Sequence, residues 1–99
     1  MATMMIMRWK GITPELYDEV RRKVGWEEDP AEGGILHVCA FDDDGMRITD
    51  VWESPEHFQR FGESRLMPVV KEIGIDSEPE VELLEIHATF APDSERINA

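Results

Sequence analysis

The 99-residue sequence predicts a single α+β domain, a four-stranded antiparallel sheet with its helices on one face. Three observations carry this. Two segments open with the same helix-start signal, Thr13-Pro14-Glu15 and Ser54-Pro55-Glu56. Two runs of alternating side chains, 35–41 and 46–52, flank the turn Asp42–Gly45 and read as a hairpin. Strand-like segments near the two ends of the chain complete the set, and a chain this short has no room for a second core.

Residues 3–10, TMMIMRWK, are apolar until Arg8 and Lys10, as expected of a first strand buried on both faces near its start. Thr13 then serves as N-cap, with Pro14 at the first helical position and Glu15 where the helix dipole favours a negative charge. Leu16, Tyr17, Val20 and Val24 form one stripe at helical spacing, and Gly25 can supply a left-handed terminus, so the first helix covers about residues 14–24. The polar EEDPAEGG is a loop.

The second and third strands, ILHVCAF and MRITDVW, alternate so that Ile35, His37, Cys39 and Phe41 share one face and Leu36, Val38 and Ala40 the other. A two-residue loop at Asp43-Asp44 sets His37 opposite Asp50, whereas one at Asp44-Gly45 sets it opposite Trp52. In both registers His37, Cys39, Ile48, Asp50 and Trp52 share a face. Ser54, Pro55 and Glu56 start a second helix with an apolar edge of Phe58 and Phe61, expected to end near Arg65. Pro68 interrupts the pattern, and Met67, Val70 and Ile73 before Gly74 predict a further short helical piece. EPEVELLEIHATFAP reads as the fourth strand, closing a domain over residues 1–90, and residues 91–99 are expected to be a mobile tail.

The order β-α-β-β-α-β is the ferredoxin-like plan. Two helices cover only one face of such a sheet, yet the strands carry apolar residues on both. Leaving Leu36, Val38, Ala40 and Val51 in water would forfeit on the order of 1 kcal/mol or more apiece. A second copy is the simplest cover, so a homodimer is expected, with a twofold interface of roughly 1,600 Å² or more.

Acidic residues outnumber basic ones 22 to 10, for a formal net charge of −12, which repels nucleic-acid phosphates and anionic membranes. The only basic cluster, Arg21-Arg22-Lys23, is a solvated helix face. The single cysteine, Cys39, allows no intrachain disulfide and fits a reducing compartment. The apolar start lacks a preceding basic region and is too short to span a bilayer, so a cytoplasmic protein is expected, binding neither nucleic acid nor membrane.

A strand ending in WKG, a Thr-Pro-capped helix with Tyr17, the run GGILHV, and a hairpin leading through DVWES into the helix HFQRF together resemble the dimeric α+β barrel proteins related to antibiotic biosynthesis monooxygenases. The similarity covers about residues 4–90. It implies a pocket between sheet and helices in each protomer, with two sheets closing a barrel at the dimer axis. It also implies cofactor-free oxygenation, haem degradation or isomerisation as candidate activities. The haem-degrading branch places a histidine ligand about three turns after an aromatic residue near Phe61, where this chain has Val70, Lys71 and Glu72. The main haem ligand is therefore missing.

A histidine beside a carboxylate is held in one tautomer, because the carboxylate accepts the Nδ1 proton and leaves Nε2 free as a base. His37 and Asp50 fit that logic as candidate catalytic residues, and equally as a buried polar pair that satisfies itself. Trp52, Tyr17, Phe41, Phe58 and Phe61 are candidate substrate-binding residues, although a packed core would use the same aromatics. His37 and Cys39 lie about 6.6 Å apart along one strand face with Asp50 nearby, but structural zinc sites pair their ligands closely, so no metal is expected. His57 is expected to face solvent, and His87 to sit on the fourth strand. No Gly-rich phosphate loop, nucleophile elbow or dinucleotide fingerprint is present, so no cofactor is expected. Two functions remain open. One is an enzyme performing cofactor-independent oxygenation or proton-transfer isomerisation or cyclisation of a flat, apolar, aromatic or polyketide-like molecule. The other is a non-catalytic ligand-binding or assembly homodimer.

Overall fold

The computed structural model describes residues 1–98. Its elements are β1 (Thr3–Lys10), α1 (Pro14–Val24), β2 (Gly34–Asp42), β3 (Gly45–Trp52), α2 (Pro55–Phe61), a π-helical turn (Gly62–Leu66), α3 (Met67–Ile73), β4 (Glu80–Glu85) and a 3-10 helix (Ser94–Asn98). The strands form one antiparallel sheet in the order β2-β3-β1-β4. This is the predicted ferredoxin-like α+β arrangement.

Both helix starts form as their residues dictate. Thr13 Oγ1 accepts from the Leu16 amide at 3.2 Å and Ser54 Oγ from the His57 amide at 3.3 Å, each satisfying an amide the helix itself leaves free. Gly25 closes α1 in the left-handed region at φ 72°, where a side chain would be strained.

Met5, Met7 and Trp9 of β1 point under the helices with Met46, Ile48 and Trp52 of β3, and Ile12 and Val70 close the core around them. The opposite face is bare: Leu36, Val38 and Leu84 stay 43%, 41% and 44% exposed in the single chain. Among the described residues, no helix is long and apolar enough to cross a membrane.

The hairpin resolves the choice of register. Asp42 pairs with Gly45, leaving Asp43-Asp44 as the loop, and His37 therefore stands opposite Asp50. Asp42 Oδ1 accepts from the amides of Asp44 at 2.8 Å and Gly45 at 3.0 Å, which holds its carboxyl below the usual carboxylate range. Gly34 pairs with Trp52 and Leu36 with Val51, so Ile35 is the extra residue of a β-bulge.

Two expectations are corrected, the end of the second helix and the length of the fourth strand. The second helix ends at Phe61 rather than near Arg65, and instead of a break at Pro68 a π turn carries the path directly into the expected further piece, α3, whose first turn holds Pro68, where a missing amide hydrogen is tolerated. The fourth strand ends at Glu85 because its partner β1 begins at Thr3; after the Ile86 amide donates to Ala2 O at 2.9 Å, no strand is left to pair with. His87 therefore lies beyond the strand and is exposed. In the C-terminal tail, residues 94–98 form the 3-10 helix, and residue 99 lies outside the described residues.

Candidate functional site

Two strands and one helix bring the polar side chains together. Asp50 and Trp52 alternate onto the helix-facing side of β3, His37 stands opposite Asp50 on β2, and α1 lays Tyr17 over the pair. Asp50 is buried, at 6% exposure, with both carboxylate oxygens engaged: Oδ1 accepts from His37 Nδ1 at 2.7 Å and Oδ2 from Trp52 Nε1 at 3.0 Å. Because a carboxylate only accepts, the His37 proton sits on Nδ1, and in the neutral ring Nε2 is an acceptor. The Tyr17 hydroxyl donates to it at 2.8 Å. The Tyr17 and His37 rings lie nearly parallel, 7° between planes, with centroids 6.0 Å apart.

This corrects one expectation. Nε2 of His37 is not free; it is covered by Tyr17, so the group presented outward is the phenol oxygen backed by the imidazole. Burial, reinforced by the neighbouring Cys39 and Asp50, pushes the Tyr17 phenol up to about 12. It stays protonated across the neutral range, as the donor role requires.

Beside this chain of hydrogen bonds lies a cavity of about 210 Å³ between sheet and helices. His37, Asp50, Tyr17, Trp52, Phe58 and Phe61 all line it. Phe41 does not: it stands at the rim, 38% exposed, with its ring edge on Tyr17 at 6.2 Å. Trp26, which the sequence reading passed over, is part of the wall, its ring 5.3 Å from His37, 5.9 Å from Tyr17 and 6.5 Å from Phe61. Its signal was present, since the residue after a left-handed Gly C-cap commonly folds back onto its own helix.

Cys39 is half-buried, and burial pushes its thiol up to about 11. Among the described residues, no three His, Cys, Asp or Glu side chains converge as metal ligands do. His57 does not face solvent as expected. Its ring packs over Gly33, Nδ1 meets Ser54 Oγ at 2.6 Å, and its side chain is 24% exposed.

No family model matches this chain, and neither does any curated protein. Solved structures do. SnoaB, a cofactor-independent oxygenase from Streptomyces nogalater, superposes with a TM-score of 0.62 at 17% identity over 93% of this chain and 97% of its own. The monooxygenase ActVA-Orf6 of Streptomyces coelicolor, solved with nanaomycin D, gives 0.57 at 14% identity over 93% and 92%. The chain has the fold of the antibiotic biosynthesis monooxygenase-like proteins. A hydroxynitrile lyase from Passiflora edulis shares it too, with a TM-score of 0.60 at 16% identity over 91% of this chain and 97% of its own. The antibiotic biosynthesis monooxygenase-like fold therefore occurs in both oxygen and lyase chemistry.

Proposed function

We propose that this chain is a small-molecule enzyme that abstracts a proton from a flat, apolar, aromatic or polyketide-like substrate, for cofactor-independent oxygenation or for isomerisation or cyclisation. The observation that carries the reading is the unbroken chain from Tyr17 through His37 to Asp50 at the wall of an apolar cavity. The substrate proton passes to the Tyr17 oxygen as the phenol's own proton moves to His37 Nε2. The product is an imidazolium held by the Asp50 carboxylate, and no proton is lost to water. The electron pair left on the substrate then reduces dioxygen in the oxygenase route or recaptures a proton at another atom in the isomerase route. SnoaB and ActVA-Orf6, with the same fold, support the first route and the lyase supports a proton-transfer route.

His37 acts as base, Asp50 as its orienter and Tyr17 as the contact with substrate, while Trp52, Phe58 and Phe61 shape the cavity. A homodimer joined through the bare sheet face is part of the proposal, supported by the exposure of Leu36, Val38 and Leu84. Dioxygen uptake and product formation with a panel of oxidisable quinols and enolisable ketones test it. His37→Ala and Tyr17→Phe are expected to lower turnover by at least about a hundredfold, the lower range for general acid–base catalysis, and unchanged turnover in His37→Ala refutes the assignment.

A second reading, a ligand-binding homodimer without chemistry, is favoured by one fact: every member of the polar chain finds a hydrogen-bond partner within the protein itself. Ligand-induced thermal stabilisation without turnover would select it.

A further inference from the structure

We infer that the cavity selects an uncharged molecule of one or two rings carrying a hydroxyl group at one end, and discriminates against its carboxylate and ammonium analogues. This deepens the proposed function and rests on its placing of Tyr17 against the substrate.

Size comes first. At about 210 Å³ the cavity exceeds the roughly 150 Å³ that holds benzene, and falls below the roughly 300–1,000 Å³ usual for drug-sized ligands. Of the exposed members of its lining, Pro30, Gly34, Ile35 and His37 lie off the bare sheet face and mark the mouth. A third fused ring would extend past them into water and gain little from burial.

Charge decides the rest. Among the described residues no lysine or arginine lines the cavity, so a carboxylate or phosphate would lose its water with no lysine or arginine to meet it. Among the described residues the one carboxylate in the wall is Asp50, which is buried and already engaged by His37 and Trp52, so an ammonium group would find no free counter-charge to offset the loss of its water. What the wall still offers is the lone pair on the Tyr17 oxygen, whose own hydrogen is spent on His37. That oxygen accepts a hydrogen bond, and a neutral hydroxyl is the group that supplies one without a charge to desolvate.

The test is calorimetric titration of the wild-type chain near pH 7 with 4-methylphenol, 4-methylbenzoate and 4-methylbenzylamine, and with the ring series 4-methylphenol, 2-naphthol and 2-hydroxyanthracene. The Trp52 indole N–H resonance reports whether binding is in the cavity. Saturable binding of the phenol and naphthol, at least about tenfold weaker binding of both charged analogues, and no more than about a tenfold gain for the third ring are expected. The inference is overturned if either charged analogue binds as well as the phenol, if the third ring adds more than that gain, or if no phenol saturates the site. Tyr17→Phe should cut the advantage of 4-methylphenol over toluene about fivefold while leaving toluene binding in place; an unchanged advantage also overturns it. These are binding measurements, so they separate from the enzymatic reading: retained turnover in His37→Ala with this ranking intact removes the chemistry and leaves the selectivity.

Discussion

Asp50 and Trp52, two residues apart on β3, are joined by a hydrogen bond from the indole Nε1 to Oδ2 at 3.0 Å, beneath a cavity that both line. Residues at this spacing share a strand face, so the backbone itself brings a donor to the carboxylate. The indole leaves Oδ1 with a single task, holding His37.

Removing either partner leaves a buried polar atom unpaired. Asp50→Asn points an amide where one of two N–H donors now rests, and is expected to lower stability by about 2–3 kcal/mol in urea denaturation. Trp52→Phe keeps the ring and deletes only the donor, with an expected loss of about 1–2 kcal/mol. Midpoints unchanged for both variants would mean that the carboxylate is not held as described.

Tyr17 is the only tyrosine in the chain, so its ionisation is visible without interference from another phenol. The tyrosinate absorbance of the folded protein should rise with a midpoint near 12, against 10.0 for a free phenol. The folded state holds this proton more tightly than the unfolded state does. The stabilisation is therefore complete below about pH 10 and is lost as pH rises towards 12. Cys39 acts in the same direction, its thiol rising from 9.0 to about 11, so alkaline destabilisation should begin near pH 9. A tyrosinate midpoint close to 10 would contradict the half-buried donor.

Gly33 has φ 82°, and a β-carbon there would collide with the His57 ring. Gly33→Ala is expected to lower stability by about 2 kcal/mol or more, combining backbone strain of about 1–2 kcal/mol with the clash. His57→Ala in the same chain should recover the part due to the ring and leave the backbone part. A double-mutant cycle checks this, and strict additivity would show that the two residues do not meet.

Sedimentation at micromolar concentration should report two chains for the wild type. Val38→Glu places a charge on the bare face of β2 and should yield single chains with unchanged circular dichroism. A wild type that sediments as one chain would mean that something else, or only water, meets that face.

Local rules explain what could be read in advance. Thr13, Ser54 and Gly25 act within one turn of their own positions, and a two-residue loop admits few registers, so the helix starts, the hairpin and the shared face of His37, Asp50 and Trp52 were all legible. What depends on how one element rotates over another was not. The meeting of Tyr17 with His37 is set by the pose of α1 on the sheet, and the resting place of His57 by a loop crossing at Gly33. Strand β4 read too long because Ile86 to Ala91 have strand-like composition, while its length is limited by the start of β1. The π turn has no compositional mark in Gly62–Leu66.

That turn sets the phase of the cavity's roof. Phe58, Phe61, Leu66 and Val70 all line the cavity, and the five-residue step from Phe61 to Leu66 would swing well away from it on a regular α-helix. The wider π winding absorbs the surplus residue. Deleting one residue between 62 and 66 would rewind the segment and turn Leu66 and Val70 out of alignment with the two phenylalanines, although no lining side chain had been altered. The shape of this enclosure is thus governed by a residue count, and homologous chains can re-aim their roofs by an insertion or deletion where substitution would leave them fixed.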